Sequence, residues 1–193
     1  MTDLLTKESL GKRERLVESA RALIHEQGVQ RTTLADIAER ADVPLGNVYY
    51  YFKSKDDLIG AVLDGYKEEA EALTRAFDRH RSPQARLKAL VRNWSDMRQM
   101  VASRGCPIGT LCAELDKNED GRDRDAAAVM AIVIDWSEGQ FRQLGRRDAR
   151  DLALALFAGI QGAALLANTF RDPTILTRQG HHLERWIDTL TRE

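Results

Sequence analysis

The chain has 193 residues, 43% of them hydrophobic and 31% charged, and its 29 basic and 30 acidic side chains give a net charge of −1. This length suits one small and one larger helical unit, and the near neutrality excludes binding of nucleic acid through a general excess of basic charge. Two cysteines without an export signal or a disulfide framework predict a cytoplasmic location.

The first predicted helix covers residues 13–27 and ends at a glycine. Its apolar residues recur at helical spacing, which predicts one buried face. They are Leu16, Ala20, Leu23 and Ile24. Gly28 follows directly, and glycine is the residue that most often closes a helix. The sequence therefore predicts an amphipathic helix followed by a tight turn.

Two short helices are then predicted on either side of a sharp corner. Apolar side chains mark one face of residues 34–41, and Asp42, Val43 and Pro44 end that helix. Proline cannot continue a helix but suits the first turn of the next one, which is predicted to span residues 45–51. Two short helices joined in this way are typical of a helix-turn-helix, whose second helix presents side chains to DNA.

Residues 32–58, TTLADIAERADVPLGNVYYYFKSKDDL, resemble the DNA-binding domain of the tetracycline-repressor (TetR) family of transcriptional regulators. The matching residues are in register without a gap. They are Thr32, Thr33, Ile37, Ala38, Val43, Gly46, Val48, Tyr49, Phe52, Lys53, Ser54, Lys55 and Leu58. The resemblance implies an all-α fold of about nine helices. We expect a three-helix helix-turn-helix head in residues 1–53 and a helical body for ligand binding and dimerisation in residues 54–193.

Helix starts supply candidate contacts to DNA phosphates. Thr33 with Asp36, and Ser54 with Asp57, have the form of a capping box, and open amide groups at a helix start suit a phosphate. Lys55 is unfavourably placed for the helix dipole, which predicts a partner outside the chain. By the resemblance, that partner is a DNA phosphate.

The second helix of the motif supplies further candidates. Leu45, Gly46, Asn47 and Tyr50 are candidate contacts to base edges, and Tyr49 is a candidate contact to a phosphate. The full set of candidate DNA-binding residues is Thr32, Thr33, Leu45, Gly46, Asn47, Tyr49, Tyr50 and Lys55. The periodicity of Val48 and Phe52 predicts that both belong to the core. Leu45 stands where the resemblance implies a polar residue, so base reading there is either contact with a thymine methyl group or absent.

The rest of the chain is predicted to be helical. A long helix from Ser54 to about His80 joins head and body, and Ser82-Pro83 begins a helix that continues through Val101. Further helices are predicted over residues 108–116, 124–144, 148–170 and 174–191. The acidic run from Asp116 to Gly121 copies the opening of a calcium loop, but Ala127 stands where a bidentate Glu is required. We therefore predict no metal and no other cofactor.

Residues 152–167 are apolar on nearly every side, yet too short for a membrane span, so they must be covered by protein. One face is expected to pack on the chain's own body and another on a second copy. The resemblance implies the same arrangement, a homodimer formed through the last two helices, about residues 148–191. Two copies would place two recognition helices on a palindromic double-stranded operator.

The resemblance also implies that the body holds a small-molecule effector. The candidate residues predict an apolar or aromatic effector. They are Trp94, Met97, Cys106, Trp136, Phe157 and Gln161, each of which can equally be a core residue. The segment around Cys106 resembles one found in regulators that sense electrophiles through a cysteine. Its place before Pro107 at a helix start, with Arg104 nearby, favours a reactive thiolate; the alternative is a small buried hydrophobe.

These features predict a ligand-responsive DNA-binding transcriptional regulator. We expect a repressor that an apolar, aromatic or electrophilic effector releases from its operator. The alternatives are an activator, a thiol-based sensor acting through Cys106, and an effector-binding protein with a vestigial head. No nucleophile elbow, phosphate-binding loop or zinc-binding spacing is found, so an enzyme is not expected.

Overall fold

A computed structural model describes residues 11–116 and 122–190, except for the side chains of residues 122 and 123. Ten helices and no strands lie within these ranges, so the predicted all-α fold is confirmed. Asn118, Asp120 and Gly121 of the calcium-like segment lie outside the described ranges, as does Thr191 at the predicted end of the last helix.

The helices are numbered here in chain order. They are α1 (Lys12–Gln27), α2 (Leu34–Ala41), α3 (Leu45–Tyr51), α4 (Lys55–Phe77), α5 (Pro83–Asp96), α6 (Arg98–Arg104), α7 (Pro107–Leu115), α8 (Arg122–Gln143), α9 (Ala149–Phe170) and α10 (Thr174–Thr189). The chain divides into two compact units. The first comprises the described residues up to Tyr66 and those between Leu111 and Ala126; the second comprises Lys67–Thr110 and the described residues from Ala127 onwards.

In the first unit, α1 packs against α2 and α2 packs against α3. Gly28 ends α1 with a φ of 86°, and its N–H donates to the Ile24 carbonyl at 2.8 Å, so the predicted glycine stop is confirmed. At the corner between α2 and α3, Asp42 has a left-handed φ of 52°. Pro44 directly precedes α3 as its N-cap residue.

The second unit is built around α9 and α10, which pack on each other; α10 also packs on α5, and α9 on α6. Its core contains two groups of buried side chains. The first apolar cluster includes Phe77, Leu87, Leu90, Val91, Phe141, Ala149, Ala153, Leu156, Ile160, Leu183 and Ile187. The second apolar cluster is made of Val101, Ala102, Cys106, Ala163, Ala164, Ala167 and Leu176.

The helix predicted from Pro83 to Val101 is divided in the structure. Its start is confirmed, because the Ser82 hydroxyl accepts from the Ala85 N–H at 3.2 Å and Pro83 begins α5. At Met97, however, ψ is 3°, and α6 starts anew at the next residue. The Ser95 hydroxyl donates to the Val91 carbonyl at 3.2 Å, a bond of the kind that bends helices.

Helix α9 is longer than the apolar run predicted from the sequence. It extends beyond that run at both ends. With 22 residues and a mean hydropathy of 1.6, it is long and apolar enough to cross a membrane. The apolar run at residues 152–167, for which the sequence predicts no span, is only the middle part of this helix. A single such helix is a weak indication, because core helices pass the same test.

Candidate functional site

Helix α3 turns two kinds of side chain in opposite directions. Val48 is fully buried and the neighbouring Phe52 is 3% exposed, so their predicted core positions are confirmed. On the outward face, Leu45 is 43% exposed, Tyr49 50% and Tyr50 78%. The inward side chains hold a two-turn helix that would be marginal by itself, and the outward ones remain free of protein cover.

The start of α3 is open to close approach by a partner. Gly46 is exposed, and a side-chain carbon added there would meet nothing within 4 Å. Asn47 is partly exposed beside it, and its N–H donates to the Pro44 carbonyl at 2.8 Å. Most of this face carries large side chains, whereas Gly46 leaves the backbone itself accessible.

A capping box fixes the start of α2. The Thr33 hydroxyl accepts from the Asp36 N–H at 3.1 Å, and the Asp36 carboxylate accepts from the Thr33 N–H at 2.9 Å. Two hydrogen bonds lower the pKa of Asp36 below its ordinary value. The larger effect comes from the bond with the Thr33 side chain and the smaller from the bond with the Thr33 backbone. The Thr33 side chain is exposed, as a phosphate contact requires.

A second capping box, at the start of α4, ties this helix to α3. The Ser54 hydroxyl accepts from the Asp57 N–H at 3.0 Å, and the Asp57 carboxylate accepts from the N–H groups of Ser54 at 3.2 Å and Lys53 at 3.0 Å. The Lys53 ammonium donates to the Tyr49 carbonyl at 3.1 Å. The end of α3 is thereby fixed next to the start of α4.

Two candidate DNA-binding residues are engaged inside the first unit instead. Thr32 is fully buried, and its hydroxyl donates to the Gly28 carbonyl at 2.7 Å, so this side chain is not presented to a partner. The Lys55 ammonium donates to the Val29 carbonyl. The position of Lys55 therefore requires no partner outside the chain, contrary to the inference from the helix dipole.

Both polar groups of Val29's main chain are bonded to charged side chains. Its N–H donates to the Glu114 carboxylate at 2.7 Å, while its carbonyl accepts from Lys55. Glu114 lies near the end of α7, 85 residues further along the chain. Sequence reasoning missed this residue because nothing in the local sequence around it points to Val29.

The candidate effector residues do not all lie against the same apolar cluster. Trp136 packs against the first apolar cluster, next to Phe77 at 5.7 Å between ring centroids, and its indole N–H donates to Asp78 at 3.0 Å. Met97 packs against the second apolar cluster, and Trp94 packs against both. Phe157 is buried in α9. The structure therefore does not gather all six residues around one point.

Little space is open beside Trp94. Helices α5, α9 and α10 leave a void of about 10 Å³ there, bordered by Ile160, Ala163 and Leu176 among others. This volume holds about one water molecule at most. An effector of drug size would have to move side chains to enter the second unit at this place.

Cys106, a member of the second apolar cluster, and the side chain of Gln161 both lie beside Gly109. The Cys106 sulfur is buried and accepts from the Gly109 N–H at 3.2 Å. Gln161 lies beside Gly109, so close that its carbonyl oxygen would be 2.9 Å from a side-chain carbon added at that glycine. The Gln161 nitrogen is buried without a hydrogen-bond acceptor at bonding geometry.

The environment of Cys106 disfavours a thiolate. Burial raises the pKa of its thiol, and the hydrogen bond that its sulfur accepts from the Gly109 N–H offsets only part of that increase. The inference of a reactive thiolate from the helix start did not include this burial. Because the thiolate is the reactive form, the structure supports the alternative of a small buried hydrophobe.

The sequence matches two known domain families in tandem. Residues 16–62 match the profile described as bacterial regulatory proteins, tetR family. Residues 83–182 match the profile described as transcriptional regulator LmrA/YxaF-like, C-terminal domain. The first match contains α2 and α3, and the second begins at the start of α5 and ends within α10.

Individual relatives agree with these matches. The chain is 30% identical to an uncharacterised HTH-type transcriptional regulator of Lactococcus lactis, over 85% of this chain and 87% of that protein. It is 28% identical to the HTH-type transcriptional regulator TtgR of Pseudomonas putida, over 95% of this chain and 91% of that protein.

The fold agrees with that of a solved protein. A TetR transcriptional regulator from Legionella pneumophila superposes with a TM-score of 0.81 at 22% identity, covering 93% of this chain and 97% of that one. The members of this family are DNA-binding transcriptional regulators and not enzymes. With the helix-turn-helix of α2 and α3 and both domain matches in place, the chain belongs to the TetR family of bacterial transcriptional regulators.

Proposed function

We propose that this chain is a dimeric cytoplasmic repressor, which binds a palindromic operator and releases it when a small apolar or aromatic effector occupies the second unit. Residues 1–53 would form the DNA-binding head, and residues 54–193 the body that binds the effector and the second copy. The proposal is supported by the family membership and by three features of the structure.

The outward face of α3 carries the DNA-binding part of the proposal. Large side chains that the protein leaves uncovered, on a helix held from behind by Val48 and Phe52, suit insertion into a major groove. The proposed contacts are Thr33, Leu45, Gly46, Asn47, Tyr49 and Tyr50. Thr32 and Lys55 would support the corner from within, through their bonds to Gly28 and Val29.

The outward face of α9 supports the dimer. It exposes Leu154, Leu165, Leu166 and Phe170 at 45%, 67%, 48% and 67%. An apolar groove between α9 and α10 runs alongside, lined by Ala158, Gly162 and Leu166 among others. Exposed apolar surface of this kind marks an interaction site, and a two-fold axis would bring the same face of each copy together.

The buried Gln161 nitrogen supports an effector site beside the second apolar cluster. A buried donor without an acceptor is costly, so a ligand that supplies an acceptor there gains free energy. Met97 and Met100 pack against the same cluster, and methionine side chains adapt readily to a new neighbour. The effector would thus be mainly apolar, with one hydrogen-bond acceptor.

The DNA-binding part is tested with the full-length protein and the DNA upstream of its own gene, in a gel-shift titration. Tyr50→Ala is expected to weaken binding without lowering the unfolding temperature, because this side chain is 78% exposed. Arg75→Ala, which removes an exposed side chain of α4 in the second unit, is the matched control. Equal binding by native protein and Tyr50→Ala would contradict the proposed face.

Repression is tested separately, by measuring transcription from the adjacent promoter in cells with and without the gene. Deletion should raise transcription if the protein is a repressor and lower it if the protein is an activator. The effector part is tested by screening small molecules for a rise in unfolding temperature, followed by the gel shift. A genuine effector should raise the unfolding temperature and also release the DNA.

A further inference from the structure

The outward face of α3 contains no basic side chain. Its sequence, LGNVYYY, has neither Arg nor Lys in any of the seven positions. The commonest specific contact between proteins and DNA is an Arg or Lys side chain bonded to guanine O6 and N7. Helix α3 therefore cannot read guanine in that way, and its discrimination between base pairs must use other chemistry.

The side chains that α3 does present match the edges of A·T pairs. Leu45, the first residue of the helix, is 43% exposed and apolar, and the one apolar group in the major groove is the C5-methyl group of thymine. Asn47 is partly exposed, and an amide side chain suits adenine N6 and N7. Both side chains thus favour the same kind of base pair.

The surroundings of Leu45 allow a methyl group to reach it. Pro44, before it, is exposed, and Gly46, after it, leaves the space on its own outer side empty to at least 4 Å. The first turn of α3 is thus an apolar edge followed by open backbone. Contact with a thymine methyl buries apolar surface on both partners, whereas contact with a polar base edge would remove water from a hydrogen-bonding group that leucine cannot satisfy.

We propose that Leu45 reads the C5-methyl group of one thymine in each operator half-site, so that discrimination at this base pair is apolar. This inference rests on the proposed DNA-binding function and adds to it the chemistry of base selection. The contact forms no hydrogen bond and involves no charge. It therefore depends on the methyl group alone, which can be removed from DNA without altering Watson–Crick pairing.

The test uses the full-length protein and a duplex that it selects from a randomised DNA pool. Each thymine of the selected duplex is replaced in turn by deoxyuridine, which lacks only the methyl group. We expect one thymine in each half-site at which this replacement weakens binding by about three- to tenfold, the range for losing one or two buried carbon contacts. Replacement at other thymines should change binding less.

The same measurement with Leu45→Ala assigns the penalty to this side chain. The variant should bind the thymine duplex more weakly and should no longer distinguish thymine from uracil at that one position. Arg75→Ala, which truncates an exposed side chain of α4 in the second unit, should keep the full uracil penalty. Circular dichroism checks that both variants are folded.

A second DNA substitution separates the methyl group from the base that carries it. Cytosine and 5-methylcytosine are placed in turn at the sensitive thymine position, opposite guanine. The native protein should prefer 5-methylcytosine, which restores the methyl group in the major groove, and Leu45→Ala should not. This arm uses unmodified protein as its reference and so does not depend on the variant alone.

Different failures have different meanings. If the protein selects a duplex but no uracil replacement weakens binding, or if Leu45→Ala keeps the same penalty, the inference about Leu45 is overturned and the DNA-binding function stands. A selected half-site without thymine has the same meaning. If the protein selects no duplex at all, the proposed function and this inference fall together.

Discussion

Helices α3 and α9 both turn large apolar side chains away from the protein, but they differ in almost every other respect. Helix α3 has seven residues and exposes Leu45, Tyr49 and Tyr50. Helix α9 has 22 residues, buries one face and exposes Leu154, Leu165, Leu166 and Phe170 on the other, with polar exposed side chains confined to its first turn and to Thr169. The two helices show how exposed apolar surface can serve different partners.

The polar atoms on each face indicate which partner it suits. On α3, two phenol hydroxyls, an amide and open backbone accompany the apolar groups, so a partner with hydrogen-bonding groups, such as DNA, can be satisfied. On α9, Leu165, Leu166 and Phe170 carry no polar atoms, and Ala158 and Gly162 allow close approach. An identical face on a second copy is the partner that matches this chemistry.

The largest expected effect comes from placing a charge on the outward face of α9. Leu166→Glu should convert the proposed dimer to a monomer, because the carboxylate would be buried without a partner at the two-fold contact. Affinity for the operator should then fall by about 10²-fold or more, since each head would bind by itself. Light scattering gives the mass, and a gel shift gives the affinity.

Ala76→Glu is the matched control, since it adds the same charge at an exposed position of α4. It should leave both the mass and the affinity unchanged. If the Leu166→Glu protein remained dimeric, α9 would not form the dimer interface. The assignment of the α9 face to a second copy would then be wrong.

On α3, removal of one hydroxyl tests whether its exposed phenols meet a polar partner. Tyr49→Phe keeps the ring and should weaken operator binding by about tenfold or more, the range for a hydrogen bond to a charged phosphate. Tyr51→Phe, on the partly buried side of the same helix, is the control. If Tyr49→Phe bound the operator as tightly as the native protein, the Tyr49 hydroxyl would form no hydrogen bond with DNA.

Removing the capping box of α2 tests how much this local hydrogen-bond pair stabilises the helix that packs against α3. Thr33→Ala should lower the free energy of unfolding by about 1 kcal/mol, because it removes the acceptor of the Asp36 N–H. Chemical denaturation at neutral pH measures this loss. A change of stability close to zero would mean that water replaces the cap.

Asp36 adds a dependence on pH to the same motif. Because its pKa is lowered in the folded protein, its stabilising contribution is full above the ordinary carboxyl pKa and is lost as the pH falls through the folded value. The difference in unfolding temperature between native protein and Asp36→Asn should therefore be present at pH 7 and diminish at acid pH. A difference that is the same at pH 7 and at acid pH would contradict this role of Asp36.

The smallest expected effect on DNA binding concerns Cys106, which lies in the second apolar cluster on the buried side of α9. Since burial raises the pKa of this thiol, alkylation by iodoacetamide at neutral pH should be much slower in folded than in unfolded protein. A Cys112→Ala background restricts the signal to Cys106. Mass spectrometry follows the modification.

The functional counterpart uses a quinone added to the protein–operator complex. Native protein and Cys106→Ser should release the operator to the same extent. Release by native protein alone, together with rapid alkylation, would support the thiol sensor and contradict the inert role assigned to this cysteine.

Features decided by nearby residues could be predicted from the sequence. The stop at Gly28, both capping boxes and the start at Ser82 each involve residues within four positions of one another, so that their pattern is visible in the chain itself. The burial of Val48 and Phe52 follows from helical periodicity.

Features that depend on contacts distant in sequence could not be predicted. The internal partner of Lys55 is 26 residues away, and the Glu114 carboxylate reaches Val29 across 85. The thiol of Cys106 was expected to be activated because the helix start is visible in the sequence and the burial that opposes it is not. For the same reason, six residues could be named as a pocket although the structure places Trp136 against the first apolar cluster and Met97 against the second.

The junction at Val29 has a direction. The Glu114 carboxylate accepts from the Val29 N–H and the Lys55 ammonium donates to the Val29 carbonyl, so exchanging these two side chains would place each charge against the wrong backbone group. Any substitution of Val29 other than proline leaves both backbone groups in place, so only the two charged side chains can be exchanged freely. Reversing the charge at position 55 or at position 114 alone would be unfavourable, and so would reversing both. The backbone therefore fixes which charge stands on each side of Val29.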